Sequence, residues 1–354
     1  MKRFQLLLAN EIKLFRTAVP IHVVAMLQPT IMYLLMSAIL VYPTFDMYVD
    51  RPTTVEGHAL VAAMREVGSP IGLPYINPIL VEWEGGAVSR QIVTMQEDNG
   101  TRVAVQRYGL IDSNLVKNFR NRLTAAGLRL WSAALGDRAV IVEEYAWLPR
   151  DVPYTVYFGM ALLPMTAFLA ASMLGAVLTA QEFELHTIVE YRLAPAPLGL
   201  ILGGRLTRLI LFAMVASGIL LLATGLVNDV WPDSVWGVGL VLLPVAAIAG
   251  CLGVLAGLMM QRVIPAFLVA LVGSFVGWIM GSAFGLAAGF GGWYEWVSRL
   301  TPFTHAVELL FPRYFGSEVG SPLVSGLVLV FLSVGLVGLT VLVYRWRVLG
   351  REGP

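Results

Sequence analysis

Charge is scarce in this sequence. Of 354 residues only 13% are Asp, Glu, Lys or Arg, while 57% are hydrophobic, and the mean hydropathy is +0.75. Soluble domains carry roughly 25% charged residues, so a chain this poor in charge cannot cover its apolar surface in water. That excludes a water-soluble globular protein and leaves lipid as the main solvent. The net charge of +1 supplies no basic field, which argues against nucleic acid as a partner. Lysine occurs only at Lys2, Lys13 and Lys117, so arginine is the main basic residue. The single cysteine, Cys251, sits in an apolar run, which rules out an intramolecular disulfide and a cysteine metal cluster. No glycine is followed by lysine, so the chain lacks the Gly-x-x-x-x-Gly-Lys phosphate loop of ATPases. It also lacks a His-Glu-x-x-His pair. The four histidines, His22, His58, His186 and His305, are scattered, and the adjacent Glu143 and Glu144 read as the solvated part of a strand. These gaps predict no metal site and no catalytic residues.

What is present is a set of long apolar runs. Six stretches reach the roughly 20 residues that a spanning helix needs: 21–42, 154–178, 207–227, 236–259, 264–288 and 321–344. Apart from Arg208, expected in the first turn of the third and able to snorkel to the interface, none contains a charged residue. The first run is too long for a signal-peptide core and no small-residue cleavage site follows it closely, so it is expected to remain as an uncleaved anchor. Basic residues flank alternate ends of the spans. Lys2, Arg3, Lys13 and Arg16 precede the first, and Arg192, Arg205 and Arg208 lie between or just inside the second and third. Arg262 follows the fourth, and Arg345, Arg347 and Arg351 follow the sixth. The connection after the third span carries Asp229 and Asp233 and no basic residue. The positive-inside rule then predicts a multi-pass protein of the cytoplasmic (inner) membrane with both termini in the cytoplasm.

The fold class expected is therefore a polytopic α-helical membrane protein. Six transmembrane helices carry a small α/β extracytoplasmic domain between helices 1 and 2, and a re-entrant segment precedes helix 6. Along the chain, residues 1–20 form an amphipathic helix in the inner interface, with Phe4, Leu7, Leu8, Ile12 and Phe15 at helical spacing. The first span occupies 21–42, the external domain 43–152 and the second span 153–178. A cytoplasmic loop covers 179–205 and spans three to five fill 206–288. The re-entrant segment covers 289–319, the sixth span 320–345 and a cytoplasmic tail 346–354. In the external domain, alternating residues over 87–95 and 101–107 flank Glu97-Asp98-Asn99-Gly100, whose Asn-Gly pair favours a tight hairpin. Residues 113–134 carry Leu115, Val116, Phe119, Leu123, Ala126 and Leu130 on one helical face, with Asp112 or Ser113 as cap. A further strand is expected over Ala139–Tyr145. In 289–318 glycines break the fifth span, Trp293, Tyr294 and Trp296 suit the headgroup level, and interleaved apolar residues predict short helices dipping back into the outer leaflet.

No carboxylate or histidine lies deep within a span. An intramembrane hydrolase or a proton-coupled carrier favours such a group, so both are disfavoured. The strongest local signal is the loop from Gln181 to Pro195. At helical spacing Phe183, Ile188 and Tyr191 offer apolar contacts, and Glu182, Glu184 and Glu190 are expected to be exposed. Pro195 and Pro197 end the helix before Gly203-Gly204-Arg205 opens the next span. A short acidic helix held between two spans suits docking on a cytoplasmic partner; a solvated loop helix has the same pattern.

This loop resembles the acidic motif of ABC-2 type permeases, which have the type V exporter fold. Glu182, Glu184, Thr187, Glu190, Pro195 and Gly204 stand at matching places. The chain departs from the family at His186, where glycine is usual, and at Arg205, where lysine is common. Leu300-Thr301-Pro302-Phe303-Thr304 with Arg313 downstream resembles the family's segment before the last span, with Thr301 in place of an asparagine. The resemblance covers nearly the whole chain. It implies a permease subunit that has no ATPase site or cofactor of its own and works with a separate nucleotide-binding ABC ATPase, which would hold ATP and Mg. It also implies a second permease subunit, as homo- or heterodimer, and an amphiphilic cargo such as a lipid, glycolipid or hydrophobic drug. Glu182, Phe183, Glu184, Thr187, Glu190 and Tyr191 would then couple to the ATPase. Gln28, Tyr33 and the glycines Gly273, Gly277, Gly281 and Gly285, four apart, would line the substrate pathway or dimer seam. Two other classes stay open at this point: a non-transporting scaffold or sensor with an external ligand-binding domain, and an intramembrane lipid-acting enzyme.

Overall fold

A computed structural model describes residues 19–40, 44–68, 74–86, 88, 91–98, 101–109, 113–135, 154–188, 197–285, 292–317 and 320–349. The interfacial helix expected before residue 19 lies outside them, as do the strand expected over Ala139–Tyr145, the turn residues Asn99 and Gly100, the side-chain cap of 113–134, and the tail beyond 349. The chain divides into two compact units, one of Ile39–Asp151 and one of Met1–Ala38 with Val152–Pro354.

The smaller unit is an α/β fold. Strand β1 (Phe45–Asp50), helix α2 (Val55–Glu66) and strand β2 (Ile76–Val81) are followed by β3 (Gln91–Asp98), β4 (Thr101–Tyr108) and helix α3 (Ser113–Leu135); α1 is the apolar helix Val19–Leu40 that precedes them. The sheet order is β2-β1-β3-β4. β1 pairs in parallel with β2 and with β3, and β3 pairs antiparallel with β4. The β3–β4 register places Asp98 opposite Thr101, which leaves a two-residue connection, as the Asn-Gly pair predicts. The first strand of that hairpin lies over 91–98, not 87–95.

Sequence patterning also missed β1, α2 and β2, and anticipated one helix where the described residues hold two. The reason lies in the strands themselves. Met47 and Val49 point into the core, but their partners along β1 are Asp46, Tyr48 and Asp50, and β2 contains Pro78. Within a strand interior a proline belongs on an edge or at a bulge, and β2 is an edge among the described strands. Thr54 caps α2, its hydroxyl accepting from the Gly57 amide at 3.2 Å. Leu60, Val61 and Met64 of α2 then close the core over Met47, Val49, Ile76 and Val93, together with Phe119 and Ala126 of α3. Arg122 of α3 lies over the Phe45 ring at 4.0 Å and hydrogen-bonds the Tyr75 carbonyl.

The larger unit is all helical among the described residues. It contains α1, α4 (Tyr154–Glu184), α5 (Leu198–Asn228), α6 (Val235–Met260), α7 (Val263–Met280), α8 (Gly292–Arg299), α9 (Pro302–Phe315) and α10 (Pro322–Leu349). Five of these, α4 to α7 and α10, are long and apolar enough to cross a membrane. The protein is thus a multi-pass helical membrane protein with a small α/β unit near its amino-terminal end.

Helix α4 is the hub. Its closest neighbour is α6, and the approach is allowed by glycines. A Cβ built on Gly253 would lie 2.2 Å from the Ser172 carbonyl oxygen, and one on Gly257 would lie 2.6 Å from Thr179 and 2.7 Å from the Ala176 oxygen. Small residues that let backbones touch are the usual basis of helix association in lipid. Polar pins add register: Ser172 and Ser274 hydroxyls are 3.0 Å apart, and the Trp278 indole donates to the Ala161 carbonyl at 2.9 Å.

Three span boundaries differ from those expected. Helix α5 begins at Leu198 behind Pro197, so Arg208 lies in its third turn instead of its first. It does not snorkel: it is 6% exposed and its guanidinium approaches the His22 ring nitrogen at 3.3 Å. Helix α4 continues to Glu184, which takes the first residues of the expected loop helix into the span. Helix α7 stops at Met280, with Gly281 as its C-cap and Ser282 at φ 68°. The Tyr157 hydroxyl donates to the Ser282 carbonyl at 2.7 Å and pins that turn. The segment expected to hold short helices does so, as α8 and α9.

Candidate functional site

The acidic end of α4 is wired into two other helices, α5 and α7. Glu182 sits in the last turn of α4 and its carboxylate pairs with the guanidinium of Arg205 on α5. The expectation that Glu182 is exposed is corrected. Its side chain is 15% exposed and that of Arg205 is 2% exposed. A buried guanidinium must be paired to tolerate its desolvation. Arg205 is further held by the Thr179 hydroxyl at 3.3 Å, and its Cζ lies 6.0 Å from the Tyr344 ring of α10.

Glu184, two residues on, does something different. One of its carboxylate oxygens accepts from the Val263 amide at 2.8 Å. Val263 is the first residue of α7, whose N-cap, Arg262, offers no side-chain cap. The first amides of a helix lack partners within it and carry partial positive charge. Glu184 therefore caps α7 from a distance, with the sign of charge that the helix dipole favours.

The turn between is tight. Leu185 and His186 amides bond back to Gln181 and Phe183, and His186 adopts φ 60°. That is the left-handed region, easiest for glycine, at the very position where the resembled motif has glycine. Histidine holds the turn with its own ring, whose Nδ1 lies 3.1 Å from the Phe183 carbonyl. Thr187 points back to the Glu182 carbonyl at 3.5 Å. Phe183 is half-buried, while Leu185, which sequence patterning did not single out, is 63% exposed at the tip. Glu190 and Tyr191 lie outside the described residues.

The residues expected along a pathway or seam are not brought together. Tyr33 is fully buried and its hydroxyl accepts from the Asn228 amide of α5. Gln28 is half-buried on α1. The four glycines do not form one helical face, because α7 ends before two of them. Gly277 and Gly281 face the chain's own α9: an added Cβ would lie 2.9 and 2.5 Å from Phe303 atoms. Gly285 lies in the turn beyond the helix, and a Cβ on Gly273 would meet nothing within 4 Å.

Contacts at the two ends of the bundle sort consistently. Arg205, Arg208, Glu182, Glu184 and Val263 gather at one end. At the other, Arg313 reaches Asp233 at 3.5 Å and its carbonyl accepts from the Asp233 amide at 2.7 Å. Among the described residues no group of three or more His, Cys, Asp or Glu side chains is placed to hold a metal ion. No protein-family model matches the sequence, and no curated protein matches it significantly.

Proposed function

We propose that this chain is the membrane-spanning permease subunit of an ATP-driven exporter of the ABC-2 kind. In this reading α1 is the first of six spans, both termini lie in the cytoplasm, and the α/β unit and α8–α9 lie on the outer side of the inner membrane. Hydrolysis takes place in a separate nucleotide-binding subunit that carries ATP and Mg, and a second permease subunit completes the dimer. The cargo is amphiphilic, since the apolar windows of the spans offer no free charge to bind an ionic solute.

The observation that carries the reading is the double anchorage of the acidic turn. A force applied at its exposed tip, Leu185, reaches α5 through the Glu182–Arg205 pair and α7 through the Glu184 cap. Both are charge-assisted contacts, stronger than neutral hydrogen bonds. The turn thus acts as a short lever on three spans at once, with closure of the ATPase pair tilting α4, α5 and α7 as one body.

The test is co-purification with an ATPase, sought first in the adjacent reading frame, followed by assays of transport-linked ATP hydrolysis in vesicles. Leu185→Asp, at the exposed tip, is expected to lower coupled hydrolysis at least about tenfold while the purified permease keeps its thermal unfolding midpoint, and Glu184→Lys to lower both, since it also removes the α7 cap. The reading fails if no ATPase co-purifies and charge reversal at Glu184 and Glu190 leaves hydrolysis unchanged. Turnover of a lipid by the isolated subunit without ATP would instead make it an enzyme.

A further inference from the structure

We propose that His305, Ser325 and Glu308 form a proton-binding site that ties α9 to the first turn of α10. His305 and Glu308 stand one turn apart on α9, with side chains 8% and 13% exposed, and Ser325 faces them from α10, 1% exposed. Three contacts run in a row. His305 Nε2 lies 2.9 Å from the Arg299 carbonyl at the end of α8, and Nδ1 lies 3.1 Å from the Ser325 hydroxyl. That hydroxyl in turn meets the Glu308 carboxyl. Direct approach of His305 Nδ1 to Glu308 is 4.0 Å. Gly320, at φ 70°, lies against the carboxylate: a Cβ there would be 3.0 Å from it.

The hydrogens can be counted. A carbonyl only accepts, so Nε2 must carry one. The serine has a single hydrogen, and it faces two groups, Nδ1 and the carboxylate, that each need one. With one further proton, on Nδ1 or on Glu308, all three contacts are hydrogen bonds. Without it, Ser325 satisfies only one of its two neighbours and the other becomes a repulsive pair of acceptors. The network therefore takes up one proton, and either location of it leaves the row complete. Loss of that proton breaks one of the bonds joining α8, α9 and α10.

Other charges near the site are few among the described residues. Arg299 is held by Glu295 at 2.8 Å, and Glu308 acts on it from the site. Arg313, farther along α9, is engaged by Asp233. Of the other helices packed on α9, α6 contains no charged residue, and α4 carries its two glutamates, Glu182 and Glu184, in its last turn at the opposite end of the bundle. The sign follows from the hydrogen count: the row is complete with the added proton, so acid closes the contact and loss of that proton opens one bond between α9 and α10. The site does not depend on the exporter reading; on the topology proposed above it faces the outer side, where it would sense external acidity.

Hydrogen exchange on the full chain in nanodiscs, followed over residues 302–326 from about pH 5 to 9 and corrected for the intrinsic rate, tests this. The wild type is expected to lose protection about tenfold across one step, the factor that one buried hydrogen bond implies. Glu308→Gln should remove the step and stay protected, because its amide donates to Ser325, whose hydrogen then goes to His305. Ser325→Ala should also remove the step but at lower protection, and it decides the matter alone if the glutamine variant does not fold. A wild type without a step, or a step that persists unchanged in these variants, overturns the site.

Discussion

Helices α4 and α10 are both apolar and both long enough to span, yet they occupy opposite situations. Of the five span candidates α10 is the most apolar and α4 the least, but 94% of α4's apolar window is buried within the protein against 11% for α10. In water the more apolar helix would go inside. In lipid the tails are as apolar as leucine, so hydrophobicity supplies no drive toward the centre. Position is decided by what can approach closely. Gly159, Gly175, Ala170, Ala171, Ser172 and Thr179 give α4 a thin, partly hydroxylated surface, and α10 turns Leu323, Phe331, Val334 and Leu342 outward.

The contrast can be broken at α4 and should resist attack at α10. Arg205→Met leaves Glu182 buried without its guanidinium and is expected to cost about 3–5 kcal/mol, measured by unfolding in detergent. The double variant Arg205→Met, Glu182→Met should recover most of that loss. Gly253→Val drives a side chain into the Ser172 backbone and should cost about 3 kcal/mol or more. Ser172→Ala removes the hydroxyl pair with Ser274 and should cost only about 0.6 kcal/mol, the usual worth of an interhelical bond in lipid. Gly338→Leu on α10, where an added Cβ meets nothing within 4 Å, should stay within about 0.5 kcal/mol of wild type. If Gly338→Leu proves as damaging as Gly253→Val, α10 has a partner that a single chain does not supply.

The same contrast explains what could be read from the sequence. Apolar runs located the spans, because length and composition are local properties. Their ends were less legible. Arg205 and Arg208 interrupt the hydropathy of α5 and suggested a later start, but both are satisfied inside by residues far along the chain: Glu182 is 23 positions from Arg205 and His22 is 186 from Arg208. The acidic character of the turn was plain, whereas the Glu184 cap on Val263 joins residues 79 apart and leaves no local trace. Regular spacing misled at the glycines, since a four-residue period is a helical face only while the helix lasts, and α7 ends at Met280. Of the α/β unit, the hairpin announced itself through Asn-Gly; the β1–α2–β2 crossover did not, as its strands mix aspartate, asparagine and proline with the core residues.

Pro78 has one more consequence. It stands on β2, an outer strand of the sheet, opposite Met47. An open strand edge is a template on which another chain can extend the sheet, and such growth is a route to aggregation. Proline has no amide hydrogen to offer a newcomer. The opposite edge among the described residues, β4, carries Arg107, a charge that opposes stacking against a like copy. Two of these units brought close together in a crowded membrane are therefore protected from fusing through their sheets, and any lasting contact between them must be made by other surfaces.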